Sequence, residues 1–304
     1  MGKKGKQAGR SSGKKGRGKA RRERAAAIRE IDERAGALIQ KLEKELQGKD
    51  LFSPLAEREE CPICFLPFSS RRRERVYQAC CCQIICLGCF FTCEDLKTKT
   101  RSCAFCRSES AKDATSEETM QTKEALYQKR IEAKDTKAMN QLAVEYANGV
   151  DGRQKDGVAS MRLNIQAAEL GEIDAIFDLG QCYLNESIFH QNLERAHSFF
   201  SFAAKMGSVL GHRGLGMYFS CVDDPARALE HVTFAAKGGD SFCFDYLTHR
   251  SNHSLEDAVF DEVECAYKKA SADEWSEARE KHRNEMEYGP CNIDPWDESY
   301  VESD

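Results

Sequence analysis

The chain has no histidine before His190, although ten of its fifteen cysteines crowd between Cys61 and Cys106. A metal bound in that stretch would have no imidazole to draw on, and thiolates are the ligands it offers in number. Long apolar runs are missing as well; the longest are far too short to cross a bilayer, so no membrane span is expected. The opening Met1-Gly-Lys-Lys-Gly-Lys leads into more charge rather than an apolar core, so no secretory leader is expected. The cysteines should then sit in a reducing compartment, cytoplasmic or nuclear, as thiols or metal ligands rather than disulfides. Basic residues are missing after Arg283 and abundant in the first 24 positions, so the net charge of −5 conceals a strong polarity along the chain.

At 304 residues the length suits about two domains. Residues 1–24 are Gly, Ser, Lys and Arg with almost nothing apolar, and a disordered basic tail is expected there. In residues 25–50, Ile28, Ile31, Ala35, Leu38, Leu42 and Leu46 fall three and four apart amid Glu, Lys and Arg, the pattern of an amphipathic helix with coiled-coil spacing. That stripe serves either to pack the helix on its own chain or to form a homodimer through 25–48. Residues 288–304 make an acidic tail.

Between them lies the cysteine segment, 58–109. It opens Cys61-Pro-Ile-Cys64, continues through Cys80-Cys81-Cys82 to Cys86-Leu-Gly-Cys89, and closes Cys103-Ala-Phe-Cys106. Three Cys-x-x-Cys knuckles and a cysteine cluster supply thiolates for two four-coordinate zinc ions. A segment so short cannot bury a core sufficient to fold it, so metal bonds must do that work. Gln83-Ile84-Ile85 reads as a small strand, and Phe90, Phe91 and Leu96 as a short helix leaving the third knuckle. The run Arg71-Arg72-Arg73-Glu74-Arg75 is expected to offset the negative charge of the thiolate sites.

In its order of knuckle, loop, ligand pair, knuckle, helix and knuckle, the stretch from Glu60 to Ser108 resembles the RING finger, in an all-cysteine variant. The resemblance implies alternating ligation, with Cys61 and Cys64 sharing one zinc with Cys86 and Cys89. The central pair would share the second with Cys103 and Cys106. That pair is read as Cys80 with Cys81, with Cys80 and Cys82 as the close rival; adjacent residues of an extended strand point to opposite sides, which favours the rival unless the chain turns there. The resemblance further implies a ubiquitin-protein ligase. Ile63, Leu96 and Phe105 would bind a ubiquitin-conjugating enzyme, and Arg107 would orient its ubiquitin. The alternative is a non-enzymatic, zinc-dependent adaptor or scaffold.

After a linker, 110–122, with a capping box at Thr115 to Glu118, the chain repeats. Leu142-Ala143-x-x-Tyr146, Leu179-Gly180-x-x-Tyr183 and Leu215-Gly216-x-Tyr218 open three copies. Ala167-Ala168-Glu-Leu-Gly171, Ala203-Ala204-Lys-Met-Gly207 and Ala235-Ala236-Lys-Gly-Gly239 close them. Periods of 36 or 37, then 32, mark stacked helix pairs, each trailing Gly a helix C-cap. The units resemble Sel-1-like repeats, relatives of tetratricopeptide repeats, over 123–287, with a degraded fourth copy at Ser241 to Ala270 and a capping helix. Ala125, Leu126 and Ile131 give the first helix its apolar side. Cys182, Cys221, Cys243 and Cys265 read as core fillers, and the histidines as packed or solvated rather than catalytic.

The expected fold class is therefore a small α+β double-zinc cross-brace finger beside an all-α helical-repeat solenoid. Its expected partners are a conjugating enzyme and a protein substrate or adaptor held by the repeats; neither a membrane nor a nucleic acid is expected.

Overall fold

The computed structural model describes residues 11–92, 101–103, 105–110, 117–149, 153–185, 190–250, 257–272, 276 and 279. They fall into two compact units, one of 1–56 with 115–235, the other of 57–114 with 236–304. None of the described helices is long and apolar enough to cross a membrane.

The first unit begins with α1, Ser11–Glu45. Its helix starts inside the basic stretch expected to be disordered, a correction with a simple cause. Ala20, Ala25, Ala26 and Ala27, set among Arg and Glu, favour helix, and extending an anchored helix is far easier than nucleating one. The anchor is the predicted stripe: Ile31, Ala35, Leu38, Leu42 and Leu46 are all at most 5% exposed. They are buried within the chain's own unit, where α1 packs on α5, Gly157–Glu169, and α7, Leu193–Lys205. Polar contacts fix the register: Arg34 pairs with Glu169 at 2.9 Å, and Arg195 donates to Asp32 at 2.5 Å and to the Tyr183 hydroxyl at 3.0 Å.

The repeats form as spaced. A leading helix, α3 (Glu117–Glu132), begins within the expected linker; Thr115 of the capping box lies outside the described residues. Its buried anchor is Tyr127, whereas Ala125 is exposed. The Tyr127 hydroxyl donates to buried Glu145, which also binds Lys123 and Arg153, so a polar network rather than an apolar face seats this helix. Then come α4 (Thr136–Asn148) with α5, α6 (Ile173–Leu184) with α7, and α8 (Val209–Cys221) with α9 (Pro225–Lys237). Asp156, Asn192 and Asp224 each accept an N–H at the start of the second helix of a pair, a recurring cap beside the two sequence landmarks. Gly171 and Gly207 end those helices in the left-handed region, as expected. Small residues permit close approach: a Cβ on Gly211 would lie 2.2 Å from the backbone nitrogen of Ala204.

The second unit holds the cysteine segment and a fourth helix pair, α10 (Ser241–Arg250) and α11 (Asp257–Ala272). The finger is bonded to this pair: the Ser70 hydroxyl donates to Gly239 O at 3.2 Å, Arg71 to the Ser241 hydroxyl at 2.7 Å, and Arg58 to Ala270 O. Of the cysteines expected as core fillers, Cys243 is buried and Cys182 half-buried, but Cys221 and Cys265 are exposed. Helix periodicity alone does not say which side of a two-sided repeat helix meets a neighbour.

Two histidines that seemed scattered meet in the first unit. The Nδ1 atoms of His212 and His231 lie 3.0 Å apart, both rings buried and flanked by Phe52 and Phe234. Burial pushes both down to about 4; His212 is lowered further by His231, and His231 by His197 and Arg227. The unfolded chain binds these protons near pH 6.5 while the folded chain refuses them. The pair's contribution to stability is therefore complete above about 6.5 and is lost as pH falls from there towards 4. Urea midpoints measured from pH 7 to 4.5 should fall more steeply for the natural chain than for the His212→Phe/His231→Phe variant; parallel curves would contradict this.

Candidate metal centres

The finger is built on a hairpin, β1 (Arg75–Gln78) and β2 (Gln83–Cys86), paired antiparallel with Val76 opposite Ile85 and Gln78 opposite Gln83. The β-branched residues form one wall of a very small core of Cys61, Phe68, Ile85 and Cys86, with Ile63, Val76, Ile84 and Phe90 against it. Two of the candidate ligands, Cys61 and Cys86, lie in that core, so its packing depends on their position.

The first and last knuckles are local copies of each other. Each caps a narrow hairpin, closed by the bridge Glu60–Pro67 in one case and by β3 (Arg101–Ser102) with β4 (Glu109–Ser110) in the other. In the first, Phe65 N–H donates to Cys61 O at 2.8 Å and Cys61 N–H to Leu66 O at 2.9 Å. In the last, Arg107 N–H donates to Cys103 O at 2.9 Å and Cys103 N–H to Ser108 O at 2.8 Å. Closing so tight a loop puts the residue after the second cysteine in the left-handed region, and Phe65 and Arg107 occupy it at φ 57° and 58°. The middle knuckle differs: Cys86 ends β2, Cys89 lies in the first turn of α2 (Leu87–Thr92), and Cys89 N–H donates to the Cys86 sulfur at 3.4 Å.

The turn between β1 and β2 decides the central pair. The N–H groups of Cys81 and Cys82 both donate to Gln78 O, and Cys82 has φ 61°. The chain therefore bends at the cluster instead of running extended, and neighbouring Cys80 and Cys81 reach the same point. Two tetrads result, Cys61, Cys64, Cys86 and Cys89, and Cys80, Cys81, Cys103 and Cys106, with the sulfurs of each set within 4.8 Å of one another. Cys82 belongs to neither. Cys93 and Leu96 lie outside the described residues.

The donor sets fit zinc. Tetrahedral ligation at about 2.3 Å places sulfurs about 3.8 Å apart, whereas a disulfide would bring them to about 2.05 Å. The observed separations are 3.8 Å for Cys64–Cys86, 3.7 Å for Cys81–Cys103 and 3.5 Å for Cys80–Cys106. The thiols are also arranged so that they cannot all ionise unaided. Burial and neighbouring sulfurs push Cys80 up to about 11 and Cys81 up to about 12. In the same cluster the Ser108 hydroxyl brings Cys106 down to about 6. In the first tetrad burial raises the Cys61 thiol, but N–H donors from Cys86, Cys64 and Ile63 outweigh it, bringing Cys61 to about 7. Sulfurs this close accept further ionisation only with a cation among them.

Arg75 donates twice to Ser69 O and lies over the Phe68 ring, while Arg71 binds Ser241, Glu74 and Asp245. These side chains fasten the finger's own loop and the fourth helix pair. A cation at the sulfurs is Arg279, which the sequence did not single out; its Nη2 lies 3.5 Å from the Cys64 sulfur. Of the residues expected to meet a conjugating enzyme, Phe105 is 48% exposed, Arg107 is exposed beside it, and Ile63 is half-buried against the small core. Phe65, which in the first knuckle stands where Arg107 stands in the last, is 71% exposed and went unremarked in the sequence.

No family model matches the chain, and no curated protein does either. Among solved structures it is similar to c5321, a protective antigen of uropathogenic Escherichia coli displaying an SLR (Sel-1-like repeat) fold. The identity is 21% and the TM-score 0.43, over 60% of this chain and 38% of that protein.

Metal content separates the ligands from the spectators. The natural chain and Cys82→Ser should each carry two equivalents of zinc by elemental analysis, and Cys81→Ser fewer. Loss of metal from Cys82→Ser with retention in Cys81→Ser would contradict the assignment.

Proposed function

We propose that the chain is a metal-organised protein-interaction scaffold whose finger is of the RING type and acts as a ubiquitin-protein ligase. The observation that carries this reading is the alternation of the tetrads along the sequence, first and third ligand pairs together, second and fourth together. That alternation ties the first and last knuckles to the hairpin between them and fixes their two tips as one surface. Zinc, when bound, supplies the crosslinks and no chemistry beyond them.

Phe105 offers an apolar side chain to a conjugating enzyme, with Ile63 and Leu96 contributing from the first knuckle and from beyond α2. Arg107, directly after the last ligand, donates from its guanidinium to the ubiquitin carried by that enzyme, restricting the thioester to geometries a lysine can attack. No nucleophile of this chain takes part. The helix pairs hold the protein to be modified. A second reading, a scaffold without ligase activity, is favoured by the packing of Ile63 against the finger's own core.

Discharge of a ubiquitin-charged conjugating enzyme onto free lysine tests the first against the second. With a broad enzyme panel, the natural chain should accelerate discharge, and Phe105→Ala and Arg107→Ala should each cut the acceleration about tenfold while zinc content stays at two. No acceleration by any enzyme, with both metals bound, would leave the scaffold alone.

A further inference from the structure

A divalent metal bound by four thiolates carries a formal charge of −2, and such a site is stable in a small core only if that charge is answered. Arg279 is 5% exposed, and a guanidinium buried that deeply is costly unless an anion meets it. Its Nη1 donates to Pro67 O at 2.7 Å, and its Nη2 to Leu66 O at 3.2 Å and towards the Cys64 sulfur at 3.5 Å. Leu66 O is the carbonyl that closes the first knuckle, so Arg279 and Cys61 N–H share it. Glu74 lines the same small cavity with Ser69, Cys86 and Leu87, and pairs with Arg71.

We propose that Arg279 is a positioning residue of the first metal site, donating to the Cys64 sulfur and offsetting the charge of Cys61, Cys64, Cys86 and Cys89. The inference rests on the reading of the tetrads as metal sites. It ties Arg279 to one metal site and not the other: 215 residues separate Arg279 from Cys64, and the second tetrad's described contacts do not include it. Loss of the Arg279 contact loosens one equivalent while the second stays bound. Outer partners of metal ligands typically change affinity about 10–100-fold when removed.

The test uses the full chain, natural and as Arg279→Gln and Arg279→Lys, loaded with zinc for release to a chromogenic chelator and with cobalt(II) for absorption. The natural chain should release two equivalents slowly. Arg279→Gln should release one of them at least about tenfold faster and the other at the natural rate. Its sulfur-to-cobalt charge-transfer band should move to longer wavelength for half the intensity, since thiolates freed of a donor and a positive charge give up electrons more readily. Arg279→Lys, which keeps the charge, should recover most of the release rate. Unchanged release and spectrum in Arg279→Gln would overturn the proposal. So would equal acceleration of both equivalents with loss of circular dichroism, which assigns Arg279 to folding alone. A natural chain that binds no metal at all would overturn the metal reading itself, a result distinct from either.

Discussion

The meeting of cysteine sulfurs in two sets of four, drawn alternately from along the chain, is the constraint on which the second unit's finger depends. Among the described residues its core cluster holds two of the tetrad cysteines, Cys61 and Cys86, with Phe68 and Ile85 as the other buried members. Apolar burial on that scale is worth only a few kcal/mol at roughly 1.5–3 kcal/mol per side chain. Ordering some fifty residues costs far more, at about 1–2 kcal/mol each for the backbone alone. On the proposed reading metal bonds make up the difference, and alternation lets each metal fix what the other leaves loose.

The first unit rests on ordinary packing. Phe199, Phe200, Leu179, Met161 and Ile165 are fully buried between helix pairs, and the α1 stripe adds five more apolar residues to the same interior. Polar groups there set register: Asn140 donates to both Asn164 and Asp178, joining three successive helices. Buried amides placed this way penalise a slipped pairing, because each would lose its partner. A chain built so can keep its helices in the absence of metal, and the two units respond to different chemistry.

Legibility in the sequence followed the range of the interaction. The knuckles were legible because two cysteines in one tight turn need only a fixed local spacing. The helix pairs were legible because Ala-Ala and trailing Gly recur in register, and the αL glycines stand where the pattern puts them. The choice of Cys81 over Cys82 was not, since it depends on one backbone angle at Cys82 that periodicity does not encode. Arg279 and the His212–His231 pair were invisible for another reason: each joins residues whose proximity is set only by the finished fold. Tyr127 shows the same limit, because its burial is decided by Glu145 and Arg153 rather than by an apolar stripe.

Hydrogen–deuterium exchange on the whole protein, before and after exhaustive chelation, tests most directly whether metal bonds shape the finger. The account predicts that amides of 59–89 and 101–110 lose protection together once the metals are gone, while those of α4 to α8 keep theirs. Finger amides that stay equally protected in the metal-free protein would contradict it.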